Sequence, residues 1–518
     1  MVENNLAYKF QEVEKEIDYT YLPDPLKYTS VSLSDVLNNR LRLEANAFNL
    51  EAKVANEKVL ANRYGTVKLW SENGLVESAF HRPRFKRIYV DHKEIPFFQP
   101  SSIAEIYPKP SRYISAKTET DLESLKVKKG MLLMTVSGTI GKVAIVGRKL
   151  DDQIFSHDLL RLNGKGKHDT GYIYAYFLTE TGQYILQSNN YGAVIKHIEP
   201  DHLKSVIIPN APEHLKKEIH ELVIQSYDLR DQSNELIDKA EEILYEELQL
   251  KPIEELKEVF FDNSVEVRNY NTRLSELGLR LDSSYHLPRK RLAKKALTAN
   301  SLKNVKIGDK SISQTIYTGN RFKRVYVDKS YGAPYLTGKH IMELNPGGFD
   351  KKYLSIDQHA AQIKEQLLIE HNSILVTCSG SIGKVVLVPK HWENWVGTHD
   401  LIRLIPKDND IAGYLFCVLN SEYGQLILKS LVYGAVVDHI EAFHVADIEI
   451  PILKNQSKQN EINNLVLTAN ELRHQAFLKE QEAVRKMENV INSTTNSHSS
   501  MAAEAAQGYK RYNGISNI

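Results

Sequence analysis

Apolar and polar residues follow two periods along this chain. In two long stretches an apolar residue returns at every seventh position: Leu215, Leu222, Leu229, Leu236, Ile243 and Leu250 in the first, and Ile462, Ala469, Ala476, Ala483 and Val490, widened by Leu465 and Leu472, in the second. A seven-residue return in a charged background predicts a helix that buries one stripe against another helix. Two such stretches in one chain predict mutual pairing, with an amphipathic helix lying on its own domain as the alternative. Elsewhere MLLMTV (131–136), KVAIV (142–146), SILVT (373–377) and KVVLV (384–388) are short, apolar, β-branched and bounded by turn residues, so they read as strands. Stretches 171–188 and 413–430 carry apolar residues at helical spacing. The fold class expected is α/β or α+β.

The chain is written twice. RFKRIYVD (84–91) returns as RFKRVYVD (321–328), SGTIGKVAIV (137–146) as SGSIGKVVLV (379–388), HDLLRL (157–162) as HDLIRL (399–404), and YGAVIKHIE (191–199) as YGAVVDHIE (433–441). The first pair is offset by 237 residues, from 84 to 321, and the others by 242, as from 137 to 379. This period is far beyond the 20–50 residues or so of a solenoid unit, so the chain is a duplicated domain. The expected organisation is an N-terminal extension at 1–30, a first module at 31–210, a first helix at 211–252, and a linker at 253–271. A second module at 272–452, a second helix at 453–492 and a disordered polar tail at 493–518 complete it.

A length of 518 residues agrees with about three domains or a repeated pair. The charge is nearly balanced, 66 basic against 65 acidic residues, which excludes a polybasic protein but leaves room for a local basic face. Two cysteines exclude a disulfide framework or a cysteine zinc site. The polar N-terminus and the lack of a long apolar run predict no signal peptide and no membrane span, which suits a cytoplasmic protein.

Catalytic patterns are missing. SGTIGK lacks both ends of a phosphate-binding loop: Val136 or Cys378 stands at the leading position, and Val143 or Val385 follows the lysine. A strand–turn–strand with glycines at positive φ fits better. His157-Asp158 and His399-Asp400 lack the further ligands a metal centre needs, so a structural hydrogen-bonding role is favoured. The best binding signal is basic and aromatic: RPRFKRIYVDHK (82–93) and its counterpart at 321–329 interleave cations with Phe85, Tyr89, Phe322 and Tyr326. Such a segment can lay guanidinium groups along a phosphate backbone, against a solvated strand edge as the plain alternative.

The doubled array resembles the specificity (S) subunit of type I restriction–modification systems. The S-G-T-I-G-K-V-A-I-V block, the H-D-L-L-R-L strand and the G-A-x-I-x-H-I segment before I-x-I-P carry the resemblance over about 31–492. The family's P-L-x-E-Q-x-x-I helix entry is altered here, to Asn210-Ala211-Pro212-Glu213-His214-Leu215 in the first copy and Leu453-Lys454-Asn455-Gln456 in the second. The resemblance implies a non-catalytic subunit whose two target-recognition domains each read one half of a bipartite DNA site. It implies that the two helices pair antiparallel and dock two methyltransferase subunits, which supply S-adenosylmethionine and adenine methylation, and that a motor-nuclease subunit can join. A 36-residue helix spans about 54 Å, an upper bound of roughly 16 base pairs on the spacing.

The duplication also separates roles. Residues shared by the copies should serve the fold or the DNA backbone, and residues that differ should read bases. Backbone candidates are Arg82, Arg84, Lys86, Arg87 and Lys142, with Arg321, Lys323, Arg324 and Lys384 in the second copy. Base-reading candidates are Lys196 against Asp438, since lysine donates to guanine and aspartate accepts from cytosine, and Thr139 against Ser381. The stretch 104–128 differs most from 342–370 and is expected to hold further readers. Helix-pairing candidates are Leu215, Leu222, Leu229, Leu236 and Ile243 with Ile462, Leu465, Ala469, Leu472 and Ala476. No catalytic or metal-ligating residue is assigned. A structural scaffold that has lost base reading, and a fused enzyme with unrecognised catalytic residues, are the alternatives.

Overall fold

The computed structural model describes residues 31–38, 48–90, 92–188, 197–258, 271–277, 280–283, 285–434 and 438–494. Residues 1–30, the linker from 259 to 270 and the tail from 495 lie outside them.

Among these residues each module is built from ten strands, wound in the same order. The first has β1 (Thr66–Lys68), β2 (Val76–Phe80), β3 (Tyr89–Val90), β4 (Ile95–Phe98), β5 (Arg112–Ile114), β6 (Leu132–Thr135), β7 (Val143–Ile145), β8 (Ile154–Phe155), β9 (Leu159–Gly164) and β10 (Ile207–Pro209). They form sheets of order β2-β9-β6-β7 and β3-β5-β4-β8 and a β1-β10 ribbon. The second module, β11 (Lys303–Lys306) to β20 (Glu449–Ile452), repeats all three arrangements. Even the register break in β2 at Val76/Ser78 recurs at Ser313/Thr315.

The apolar runs without alternation have a direct cause. Strand β6 is buried on both faces. Leu132 and Met134 face a helical layer, while Leu133 packs with Phe98, Phe155 and Leu159 against the second sheet. A strand covered on both sides reads as continuous hydrophobic sequence. The helical layer is α1 (Asp169–Leu178) and α2 (Glu180–Ser188) in the first module, and α4 (Asn409–Asn420) and α5 (Glu422–Ser430) in the second, with the long α3 (Glu213–Leu248) between them in the chain. The helical stretches predicted at 171–188 and 413–430 are each broken in two, where Thr179 and Ser421 use their hydroxyls to cap the second helix at Gly182 and Gly424.

Each module holds a buried arginine in its central sheet. Arg161 on β9 and Arg403 on the equivalent strand, Leu401–Pro406, are 0% and 1% exposed. Their guanidinium groups donate to main-chain carbonyls: Leu125, Phe155, Ser156 and Leu159 for Arg161, and Leu367, Gly397, Thr398 and Leu401 for Arg403. The arginine thus gathers main-chain carbonyls from strand ends and the adjoining connections into one buried cluster.

Helix α3 and α6 (Gln456–Ile491), 36 residues each, pack antiparallel along their length. Ile219, Leu222 and Val223 share a core with Ala483, Met487 and Val490, and Ile237, Ala240 and Leu244 share one with Ile462, Val466 and Ala469. The buried seam runs through Ile219, Val223, Ser226, Arg230, Ser233, Ile237, Ala240 and Leu244, opposite Ile462, Val466, Ala469, Arg473, Ala476, Glu480, Ala483 and Met487. Steps of four and three place these at the a and d positions of heptads. Of the residues expected to pair, Leu222, Ile243, Ile462, Ala469 and Ala476 are buried, while Leu215, Leu229, Leu236, Leu465 and Leu472 are half-buried and flank the seam. Within the seam, small residues (Ser226, Ser233 and Ala240; Ala469, Ala476 and Ala483) alternate with larger ones.

The modules clasp this pair at opposite ends. Gly171 on α1 lies against His220 of α3, where an added Cβ would stand 2.7 Å from the ring; Gly413 on α4 lies against Asn463 of α6, where it would stand 2.3 Å from the carbonyl oxygen. Only glycine permits either approach.

Candidate nucleic-acid interface

The two basic–aromatic segments fold alike. Residues 81–88 are irregular, and Tyr89–Val90 pair with β5. Side chains alternate in exposure: Arg84 and Lys86 face solvent, Phe85 and Arg87 turn inward. In the second module Arg321, Lys323 and Arg324 are exposed and Phe322 half-buried. Arg82 is half-buried, its guanidinium 4.7 Å from the Phe80 ring centre.

Behind each segment stands an Arg–His–Asp set. Arg87 Nη2 lies 3.1 Å from His157 Nδ1 and donates to Ser156 Oγ at 3.0 Å. His157 Nε2 lies 3.1 Å from Asp158. In the second module Arg324 Nη2 is 3.1 Å from His399 Nδ1, and His399 Nε2 is 3.4 Å from Asp400. A guanidinium can only donate, so Nδ1 accepts and the ring proton sits on Nε2, toward the aspartate. Burial keeps both imidazoles below their ordinary range; the aspartates oppose this, and the arginines reinforce it. The His-Asp pairs therefore orient the arginines, a positioning role consistent with the structural reading of their sequence.

Two further cations join the edge. Arg112 lies 4.9 Å over Tyr89 and Lys352 lies 5.0 Å over Tyr326, at matching places on neighbouring strands. Both are exposed. The signal was available in the sequence as SRYIS (111–115) against KKYLS (351–355), within the stretch that otherwise diverges most.

The SG loops are tight hairpins, β6 to β7 and its equivalent, with Gly138, Gly141, Gly380 and Gly383 at φ between 70° and 84°. Their lysines do not share the surface of Arg84 and Lys86. Lys142 forms an ion pair with Glu343 of the other module, and Lys384 stands 3.8 Å from Glu105. The expectation that Lys142 and Lys384 lie along the phosphate backbone thus meets a different placement, because each finds a carboxylate across the molecule. Thr139 and Ser381 line a cleft of about 630 Å³ between the modules, where Lys339 Nζ donates to Thr139 Oγ1 at 3.3 Å. Asp438 is exposed; Lys196 lies outside the described residues. The start of the divergent stretch, expected to read bases, is instead a contact: Ile106 and Leu344 are buried together against Ala476.

Among the described residues no group of three or more His, Cys, Asp or Glu could hold a metal ion, and no helix is long and apolar enough to cross a membrane. Cys378 and Cys417 are both buried, and burial pushes both thiols up, Cys378 to about 12.

No curated protein matches the chain. Among solved structures, the S subunit of a type I restriction–modification system from M. genitalium is similar at 15% identity, with 82% of this chain and 98% of that chain covered and a TM-score of 0.25. The HsdS subunit from Thermoanaerobacter tengcongensis is similar at 14% identity, with 82% and 95% covered and a TM-score of 0.24. A third likeness, to a structure described for complex assembly and conformational transition of the type I R-M system, has 12% identity, 81% and 97% coverage and a TM-score of 0.25. Scores of this size carry no argument about how the parts are arranged. The model of the type I restriction modification DNA specificity domain matches residues 300–476, which take in most of the second module and the first part of α6. Residues 300–476 are thus similar to the type I restriction modification DNA specificity domain, and the first module repeats the motifs and strand order of the second.

Proposed function

We propose that this chain is the DNA-specificity subunit of a type I-like restriction–modification or related defence complex, with one half of a bipartite site read by each module. The observation that carries this reading is the doubled edge: exposed cations interleaved with rings, and an arginine oriented by a His-Asp pair, at equivalent places in both modules. Cations on a rigid frame suit phosphates, and two such frames suit two half-sites. In this reading the chain performs no chemistry. Two methyltransferase subunits dock on the paired helices, bring S-adenosylmethionine and methylate adenine, and a motor-nuclease subunit joins them where restriction accompanies modification.

The test is methylome sequencing of cells that express the chain with a companion methyltransferase. An asymmetric bipartite motif with an unspecified spacer is expected. Exchange of residues 31–210 for another such module should change one half of the motif only. Change in both halves, or in neither, refutes the two-reader model.

A further inference from the structure

The most complete symmetry in the molecule lies where the modules meet. Glu105 and Glu343 pair as an isolated antiparallel bridge, and Ile106 N donates to Met342 O at 2.8 Å. Around this point Lys142 reaches Glu343 and Lys384 reaches Glu105. The lysines are equivalent in the two copies, and so are the glutamates, so each module offers the other the same pair of groups. Such a contact is isologous, the geometry of a twofold interface, here within one chain.

The contact is built rather than incidental. The Glu343 side chain is 9% exposed and those of Glu105 and Lys142 are 19% exposed. His340 adds a further bond to Glu343 at 2.8 Å, and Glu343 Oε2 accepts from Gly347 N at 3.2 Å. The crossing loops are pinned beneath by the helices: Asn234 Nδ2 donates to Ile106 O at 2.8 Å, and Leu229 and Phe477 pack against the buried Ile106, Leu344 and Ala476. Buried charges are retained where they are paired, and paired ions at a twofold contact fix its register.

We infer that Lys142–Glu343 and Lys384–Glu105 form a lock that holds the two modules in one fixed phase, so that this contact, beyond the length of the helices, sets the spacing between the half-sites. The inference rests on the bipartite reading of the proposed function. It assigns the SG-loop lysines a positioning role and explains why they are common to both copies although the modules read different sequences. Each module shares a core with one end of the helix pair; the lock adds a direct contact between the two modules themselves.

Two experiments on the full chain test it. In the chain alone, Glu105→Cys with Glu343→Cys should form a disulfide under mild oxidation, since residues paired in an antiparallel bridge have Cα atoms about 4.5–5.5 Å apart, within disulfide reach. Failure to cross-link in a chain that folds as the parent does overturns the lock. In the methyltransferase complex, Lys142→Glu with Lys384→Glu should leave both half-site sequences unchanged but reduce the preference for the native spacer, over spacers one base pair shorter or longer, by about tenfold. Adding Glu105→Lys and Glu343→Lys should restore it by recreating both pairs in reverse. A preference unchanged in the double variant overturns the inference, as does a change in half-site sequence, which would make the lysines readers. If the double variant does not fold, the fourfold swap decides alone: native spacing supports the lock, and a relaxed spacing overturns it. A chain that cross-links but directs no bipartite methylation counts against the proposed function instead.

Discussion

The centre of the helix seam makes a quantitative prediction, because it is polar where a hydrophobic stripe would be expected. Glu480, 3% exposed, is paired with Arg230 and accepts from Tyr174 Oη at 2.6 Å. Arg230 also donates to Ser226 Oγ at 3.1 Å, Ser226 donates to the Ala476 carbonyl at 2.7 Å, and Arg473 Nε donates to Ser233 Oγ at 2.9 Å. Replacing Glu480 by Leu strands the buried guanidinium without its carboxylate and takes the carboxylate acceptor from the Tyr174 hydroxyl. Breaking one side of a buried ion pair costs about 3–5 kcal/mol, and the hydroxyl's lost acceptor places this site toward the upper part of that range. Removing all three polar groups together, Arg230→Leu, Glu480→Leu and Tyr174→Phe, leaves no buried charge unpaired and should cost less than Glu480→Leu alone. The assay is urea unfolding followed by far-ultraviolet circular dichroism, with constant m-values required for the comparison. A Glu480→Leu loss below about 1 kcal/mol, or a triple variant as costly as its parts combined, refutes the reasoning. The polar centre also explains the register. A slip of one heptad would bring Arg230 opposite Arg473 or Met487, a like-charge contact or an unpaired ion, so the seam accepts one alignment.

Three further outcomes are expected. Arg161→Met removes donors from four buried carbonyls and should cost about 2–4 kcal/mol, with hydrogen exchange showing the loss confined to the first module; Arg403→Met should do the same in the second, and a loss under about 0.5 kcal/mol in either would count against the carbonyl cage. Burial, reinforced by Arg87 and Arg324, keeps His157 and His399 below their ordinary 6.5. The unfolded chain therefore binds protons that the folded chain does not, and stability should fall as pH drops through that value; replacing both histidines by Gln should flatten this part of a stability–pH profile, and an unaltered slope would sink the assignment. Gly171→Ala should push α1 away from His220 and cost about 1–3 kcal/mol by thermal unfolding; full tolerance would mean that the helices do not approach as closely as described.

Much of this architecture was legible in the sequence, because it depends on patterns local to the chain. The doubled motifs required one fold built twice, and the strand order repeats accordingly. Runs such as LLMT and ILVT announced strands, and the structure shows them buried on both faces. The SG blocks announced hairpins, and their glycines take the positive φ that such turns need. The two seven-residue periods announced two long helices, which run to 36 residues each.

What the sequence could not decide was which residues meet across hundreds of positions. Hydrophobicity pointed to the leucines Leu215, Leu229 and Leu236, but they flank the seam, which alternates Ser226, Ser233 and Ala240 with larger residues such as Val223, Ile237 and Leu244. Nothing in HDLLRL or HDLIRL marks Arg161 and Arg403 as buried; only the folded sheet shows them among carbonyls. Lys142 and Lys384 read as free cations on a turn, because a lysine carries no mark of its partner. Their carboxylates lie 201 and 279 residues away in sequence, from 142 to 343 and from 105 to 384. Periodicity is written in neighbouring residues and survives translation into sequence; pairing between distant side chains exists only once the chain has brought them together.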